Sequence, residues 1–167
     1  DLDGTLLDEE KNLPPDFLSL LDQLLKKGIH FVVASGNQYY QLRSFFPDIH
    51  NELAFIAENG AYIVDQGKDV FVAKLAKEDI QTVLKVVNQY PEVEKIVCGR
   101  KSAYISKYID EDFYNTMNFY YHRLAKVDNF DDFDDTIFKI YLHCSKDNFE
   151  TILTELKEKI GHIMTPV

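Results

Sequence analysis

Apolar residues recur at Phe17, Leu20, Leu21, Leu24 and Leu25, the i, i+3, i+4, i+7, i+8 spacing of one helical face. Pro14-Pro15-Asp16 ahead of them and Lys26-Lys27-Gly28 behind them supply start and stop signals. Ile29 to Ala34 is then a short apolar run held between Gly28 and Gly36, which predicts a buried strand of a parallel sheet. A second helix fits Gln38 to Phe46 and is stopped by Pro47, and Leu53 to Ala57 repeats the buried-strand pattern. Strand and helix alternating in short order predict right-handed crossovers and a parallel α/β sheet.

The pattern then changes. Ala61–Val64 and Val70–Ala73 flank Asp65-Gln66-Gly67-Lys68, and Lys95–Cys98 and Ala103–Ser106 flank Gly99-Arg100-Lys101; both read as hairpins. Ile80, Val83, Leu84 and Val87 mark a helix before Pro91, and another is expected near Asp112–Phe119. An acidic loop at Asp128–Asp135, a strand at Thr136–Cys144 and a helical stripe at Phe149, Ile152, Leu153, Leu156 and Ile160 complete the chain. Antiparallel pairs mixed with helices predict an α+β second half. The boundary is expected near Leu75, giving domains 1–75 and 76–167.

The apolar share of 46%, with 12 Phe and 10 Tyr, is enough to fill the cores of these two units. No apolar run approaches the roughly 18 residues of a membrane span, so no membrane partner is expected. A formal charge of −10 leaves no basic stripe for nucleic acid. Cys98 and Cys144 lack metal-ligand spacing and read as reduced thiols, the usual state in the cytoplasm. The five histidines are scattered and form no ligand pattern, and the acidic loop lacks the glycine and distal glutamate of a calcium site. The aromatics beside Arg123, from Asn118 to His122, suit either core packing or a sugar-facing surface, packing being the commoner use.

The chemistry concentrates at Asp1-Leu2-Asp3-Gly4-Thr5. An Asp-Gly turn with a capping threonine would account for the residues locally. At a strand end, however, two carboxylates in alternate positions can both face the crevice beyond the sheet. There they would suit a hard cation such as Mg²⁺. Asp1 would then serve as nucleophile and metal ligand, and Asp3 as acid, base and metal ligand. Ser35-Gly36, between a strand and the next helix, is placed where N–H groups gather around anions, although a helix-capping turn uses the same residues.

Asp1-Leu2-Asp3-Gly4-Thr5 with Ala34-Ser35-Gly36 resembles the haloacid dehalogenase-like phosphatases. Together with Thr5-Leu6-Leu7 and Ala57-Glu58-Asn59-Gly60-Ala61 it looks like their Cof-type branch (subfamily IIB). Ser35-Gly36-Asn37-Gln38-Tyr39-Tyr40 and Ser44-Phe45-Phe46-Pro47 are similar to the bacterial sugar-phosphate phosphatases of that branch, where most Cof-type members carry Thr-Gly-Arg at Ser35-Gly36-Asn37.

The resemblance implies a Rossmann-like α/β core with an inserted α+β cap of the C2 type. It implies Mg²⁺ as cofactor and a small sugar phosphate as substrate, hydrolysed through an aspartyl phosphate. Asp1 and Asp3 would be catalytic and metal-binding, and Leu2 (through its amide), Ser35 and Gly36 would bind phosphate. Glu58-Asn59-Gly60 reads as a structural turn rather than as a catalytic element. The family's phosphate-binding Lys, its acidic metal motif and a first core strand have no counterpart here, so the chain is expected to be a piece of a longer polypeptide. Two other readings stay open: a phosphomannomutase-like phosphotransferase, and a non-catalytic phosphoacceptor module.

Overall fold

Gln66 and Gly67 both adopt the left-handed conformation, at φ 48° and 73°, and this pair of residues turns the chain back on itself. A two-residue loop with both φ values positive matches the right-handed twist of the strands it joins. The strands are β3 (Tyr62–Asp65) and β4 (Lys68–Val72), antiparallel with Asp65 opposite Lys68. They extend a sheet begun by β1 (Val32–Ala34) and β2 (Ala54–Ala57), which pair in parallel, Val33 opposite Phe55. The order is β1-β2-β3-β4, so the parallel pair carries an antiparallel hairpin on one side. The computed structural model describes residues 2–131 and 133–166.

Helix α1 (Phe17–Lys26) buries Leu21 completely, and α2 (Tyr39–Ser44) buries Tyr39, Gln41 and Leu42. Phe46 and Phe55 are fully buried with ring centroids 6.2 Å apart, and Tyr39 meets Phe55 edge-on at 5.5 Å. Each such buried aromatic contributes roughly 1.5–3 kcal/mol from area alone. The apolar run before Ser35 is less buried than its composition suggests. Ile29, ahead of β1, is 47% exposed, and Val32 is 46% exposed, since among the described residues β2 alone pairs with β1 and the strand alternates across its two faces. Leu20 of the α1 stripe also stays half exposed.

A second sheet has the order β7-β6-β5-β8. Strands β5 (Glu94–Gly99) and β6 (Ala103–Ser106) form the expected hairpin, and β8 (Ile137–His143) pairs antiparallel with β5. Strand β7 (Leu124–Val127) was not legible in the pattern, and it pairs with β6 in parallel. Helices α3 (Lys77–Val87) and α5 (Lys146–Ile160) share a core of Val83, Val87, Ile152, Leu156 and Ile160. Phe149, expected on that stripe, is 45% exposed at the helix start.

The acidic loop is more than a solvated connection. Asp135 accepts hydrogen bonds from the Lys101 amide at 2.9 Å, the Thr136 amide at 2.7 Å and the Tyr104 hydroxyl at 2.9 Å, tying the loop to the β5–β6 turn.

The chain divides into two compact units. One runs to Ala73 and takes in Glu111–Arg123; the other comprises Lys74–Asp110 and the chain from Leu124 onward. The change of unit at Ala73/Lys74 adjoins Leu75, while helix α4 (Glu111–Tyr120) groups with the first unit. Gln41 donates to the Phe119 carbonyl, and Gln38 exchanges hydrogen bonds with Arg123 just beyond the helix.

Candidate active site

Leu2 is buried at 1% exposure, and its carbonyl accepts from the amides of Thr5, Leu6 and Leu7 at 3.2, 2.9 and 2.9 Å. The chain therefore coils tightly just after Asp1-Leu2-Asp3, with Gly4 in the left-handed region at φ 69°, where a side chain would be strained. Asp1 itself lies outside the described residues.

The Asp3 carboxylate has a donor on each oxygen. The Lys11 ammonium lies 2.6 Å from Oδ1, and the Asn37 side-chain amide donates to Oδ2 at 2.8 Å. Asp3 and Lys11 are both little more than one-third exposed. The Lys11 ammonium is held above its usual range, first by its hydrogen bond to Asp3.

Asn37 connects two sequence motifs. Its own amide donates to Ser35 Oγ at 3.2 Å. A hydroxyl that accepts there keeps its proton for another acceptor. The Ser35 amide donates to the Ile56 carbonyl at 3.0 Å, fixing the turn to the end of β2.

A third motif closes on the same turn. The Glu58 amide donates to the Asn37 carbonyl at 3.1 Å and the Asn59 amide to the Ser35 carbonyl at 3.4 Å. Glu58 and Asn59 take left-handed φ values of 54° and 57°, costly for non-glycine residues, and Glu58 is 2% exposed. A Cβ placed on Gly36 would collide with Asn59 Oδ1, so any larger residue there would need the Asn59 side chain to shift.

The structure thus brings Asp3, Ser35 and Gly36 together through Asn37, with Glu58-Asn59-Gly60 bracing the turn. Lys11 was missed in the sequence, since nothing in Asp8-Glu9-Glu10-Lys11-Asn12 says that the lysine turns back. Asn37 stood inside a motif without a role. Among the aromatics before Arg123, Tyr121 is buried, whereas Phe119 and Tyr120 are 57% and 42% exposed. The Arg123 guanidinium sits 3.7 Å above the Tyr40 ring.

A hard cation takes oxygen donors, commonly one or two carboxylates with several waters. Asp3 supplies such oxygens, so the donor chemistry fits Mg²⁺. Among the described residues no group of three or more His, Cys, Asp or Glu is gathered to hold a metal.

A profile for haloacid dehalogenase-like hydrolases matches residues 1–166. The chain belongs to that family. A 5-amino-6-(5-phospho-D-ribitylamino)uracil phosphatase of Escherichia coli (strain K12), YbjI, is 47% identical over 168 residues, covering 100% of this chain and 62% of its own. The crystal structure of SMU.1108c from Streptococcus mutans UA159 superposes with a TM-score of 0.86 at 30% identity, covering 95% of this chain and 60% of that one. The subclass IIB sugar phosphatase BT4131 shares the fold at a TM-score of 0.70 and 16% identity, covering 96% of this chain and 62% of that one. This haloacid dehalogenase-like chain therefore spans about three-fifths of the length of these relatives.

Proposed function

We propose that the polypeptide carrying this chain is a Mg²⁺-dependent phosphatase of small sugar phosphates, working through an aspartyl phosphate in the cytoplasm. The observation that carries the reading is the Asn37 bridge. It sets the Asp3 carboxylate beside the Ser35-Gly36 turn, joining an acid/base group to an anion-binding turn. The 47% identical relative is named for a substrate in which phosphate sits on a ribityl chain, which supports a polyol or sugar phosphate here. Cys98 and Cys144 are thiols with no disulfide, as suits the cytoplasm.

The chain's own residues have the following roles. Asp1 attacks phosphorus, and the bond to the sugar oxygen breaks as Asp3 gives that oxygen a proton. Asp3, now a carboxylate, takes a proton from water as the water oxygen attacks phosphorus. Inorganic phosphate leaves and Asp1 is regenerated. The Leu2 amide, Ser35 hydroxyl and Gly36 amide hold the phosphoryl oxygens meanwhile. Asp1 and Asp3 would hold Mg²⁺, which supplies positive charge against the three outer oxygens. In a chain of net charge −10 that charge is needed locally.

Phosphate release from ribose and hexose phosphates by the full-length protein tests this. Turnover should need Mg²⁺ and cease in EDTA. Equal release in EDTA rejects the proposal.

A further inference from the structure

Lys11 stands at the tip of a loop built to present it. Asp8 Oδ1 accepts from the amides of Glu10 at 2.9 Å and Asn12 at 2.8 Å. The Asp8 amide donates to the Asn12 carbonyl at 3.1 Å, and the Lys11 amide to the Asp8 carbonyl at 3.1 Å. These bonds close the loop and leave Lys11 in the left-handed region at φ 64°, which a lysine does not favour. The side chain then runs back to Asp3 rather than into solvent.

We propose that Lys11 is a positioning residue for the acid/base step, clamping Asp3 from one side while Asn37 clamps it from the other. The inference rests on the reading of Asp3 as the acid and base of a phosphatase. A carboxylate on a short side chain can swing about two bonds. Here one oxygen meets Lys11 at 2.6 Å and the other meets Asn37 at 2.8 Å, so both swings are blocked. The Lys11 contact lies in the short range of charge-assisted bonds. An ion pair more than one-third exposed adds little to stability, so its effect should fall on geometry. Proton transfer in the transition state needs the acid within hydrogen-bond reach of the leaving oxygen. A misplacement of about 1 Å can lower a rate by roughly 10²-fold.

The consequence is selective. A sugar alkoxide is a poor leaving group and must be protonated as it departs. The p-nitrophenolate of p-nitrophenyl phosphate leaves readily without a proton. The later water step, with Asp3 as base, is common to both esters, so the contrast is read in kcat/KM, which reports the steps through departure of the leaving group. Loss of the clamp should therefore lower kcat/KM for sugar phosphates far more than for the nitrophenyl ester.

The test compares full-length wild type, Lys11→Met and Lys11→Arg on ribose 5-phosphate and p-nitrophenyl phosphate, with Lys11→Gln as a second neutral variant should Lys11→Met misfold. Lys11→Met should lose on the order of 10- to 100-fold in kcat/KM on the sugar phosphate, within the range for a misplaced catalytic group. On the nitrophenyl ester kcat/KM should change little, whereas kcat on either ester also carries the shared water step. Lys11→Arg should recover most of the loss, since it restores a cationic donor to Asp3. Equal losses in kcat/KM on both substrates, or no loss in kcat/KM on the sugar phosphate, overturn the clamp while leaving the phosphatase reading in place. A wild-type protein that releases phosphate from neither ester, or an Asp3→Asn variant as active as wild type, overturns that reading and the clamp with it.

Discussion

Gln38 and Arg123 exchange two hydrogen bonds: Gln38 Nε2 donates to the Arg123 carbonyl at 2.9 Å, and the Arg123 amide donates to Gln38 Oε1 at 2.9 Å. The side-chain amide behaves as one more strand residue would, pairing both main-chain groups of a residue 85 positions away. Gln38 is only 3% exposed, so neither half of the exchange is easily replaced by water.

Replacement of Gln38 by Leu keeps the volume and removes both partners. The Arg123 groups lose them without compensation, at a cost of about 1–3 kcal/mol. Urea unfolding of Gln38→Leu should show a midpoint shifted down accordingly. An unchanged midpoint would mean that the exchange is dispensable.

Gly36 faces Asn59 so closely that a methyl group would have to displace the Asn59 side chain. Gly36→Ala should destabilise the turn by about 1–3 kcal/mol, the usual range for overpacking. Asn59→Gly removes the obstructing amide and suits the left-handed backbone at that position. Combining the two should recover part of the loss, which a double-mutant cycle reads as coupling. Strict additivity would place the strain elsewhere.

Glu155 gives a pH prediction. Its carboxyl is held below the ordinary 4.5, chiefly by the hydrogen bond from the Tyr90 hydroxyl and then by Lys159 at 3.3 Å. A folded-state value below the unfolded one favours folding at pH above the unfolded value. That contribution fades as pH falls through the folded value, so the window lies below about 4.5. Carboxyl-carbon NMR should find Glu155 titrating low in the wild type, and Tyr90→Phe should move it up more than Lys159→Met does. A reversed order would assign the shift to the ion pair.

Local pattern revealed most of the elements because each has a local cause. The i, i+3, i+4 stripes of α1, α3 and α5 and the Gln66-Gly67 turn need only neighbouring residues. Strand β7 escaped because Leu124-Ala125-Lys126-Val127 is short, half-buried and paired in parallel with β6, so no turn announces it. The attachment of α4 to the first unit depends on Gln38 and Gln41, ordinary polar residues in sequence and buried partners in the fold. The same contrast holds at the site. Asp3, Ser35 and Gly36 announce themselves by motif, whereas Lys11 reaches Asp3 only because Asp8 closes its loop. Asp1 lies outside the described residues, so its role is a matter for chemistry rather than geometry.

The central claim is that Asp1 takes the phosphoryl group from the substrate. Phosphate monoesters are so inert in water that enzymes accelerate their hydrolysis by up to about 10²¹-fold, and a covalent intermediate divides that barrier into two lower ones. The most direct measurement is an acid quench of the full-length protein during turnover of ³²P-labelled ribose 5-phosphate with Mg²⁺, followed by peptide mapping. The account predicts label on the peptide bearing Asp1, released by hydroxylamine and missing from Asp1→Asn, with more label retained in Asp3→Asn if the water step is the slower one there. Rapid phosphate release by Asp1→Asn, or label on any other residue, would contradict it.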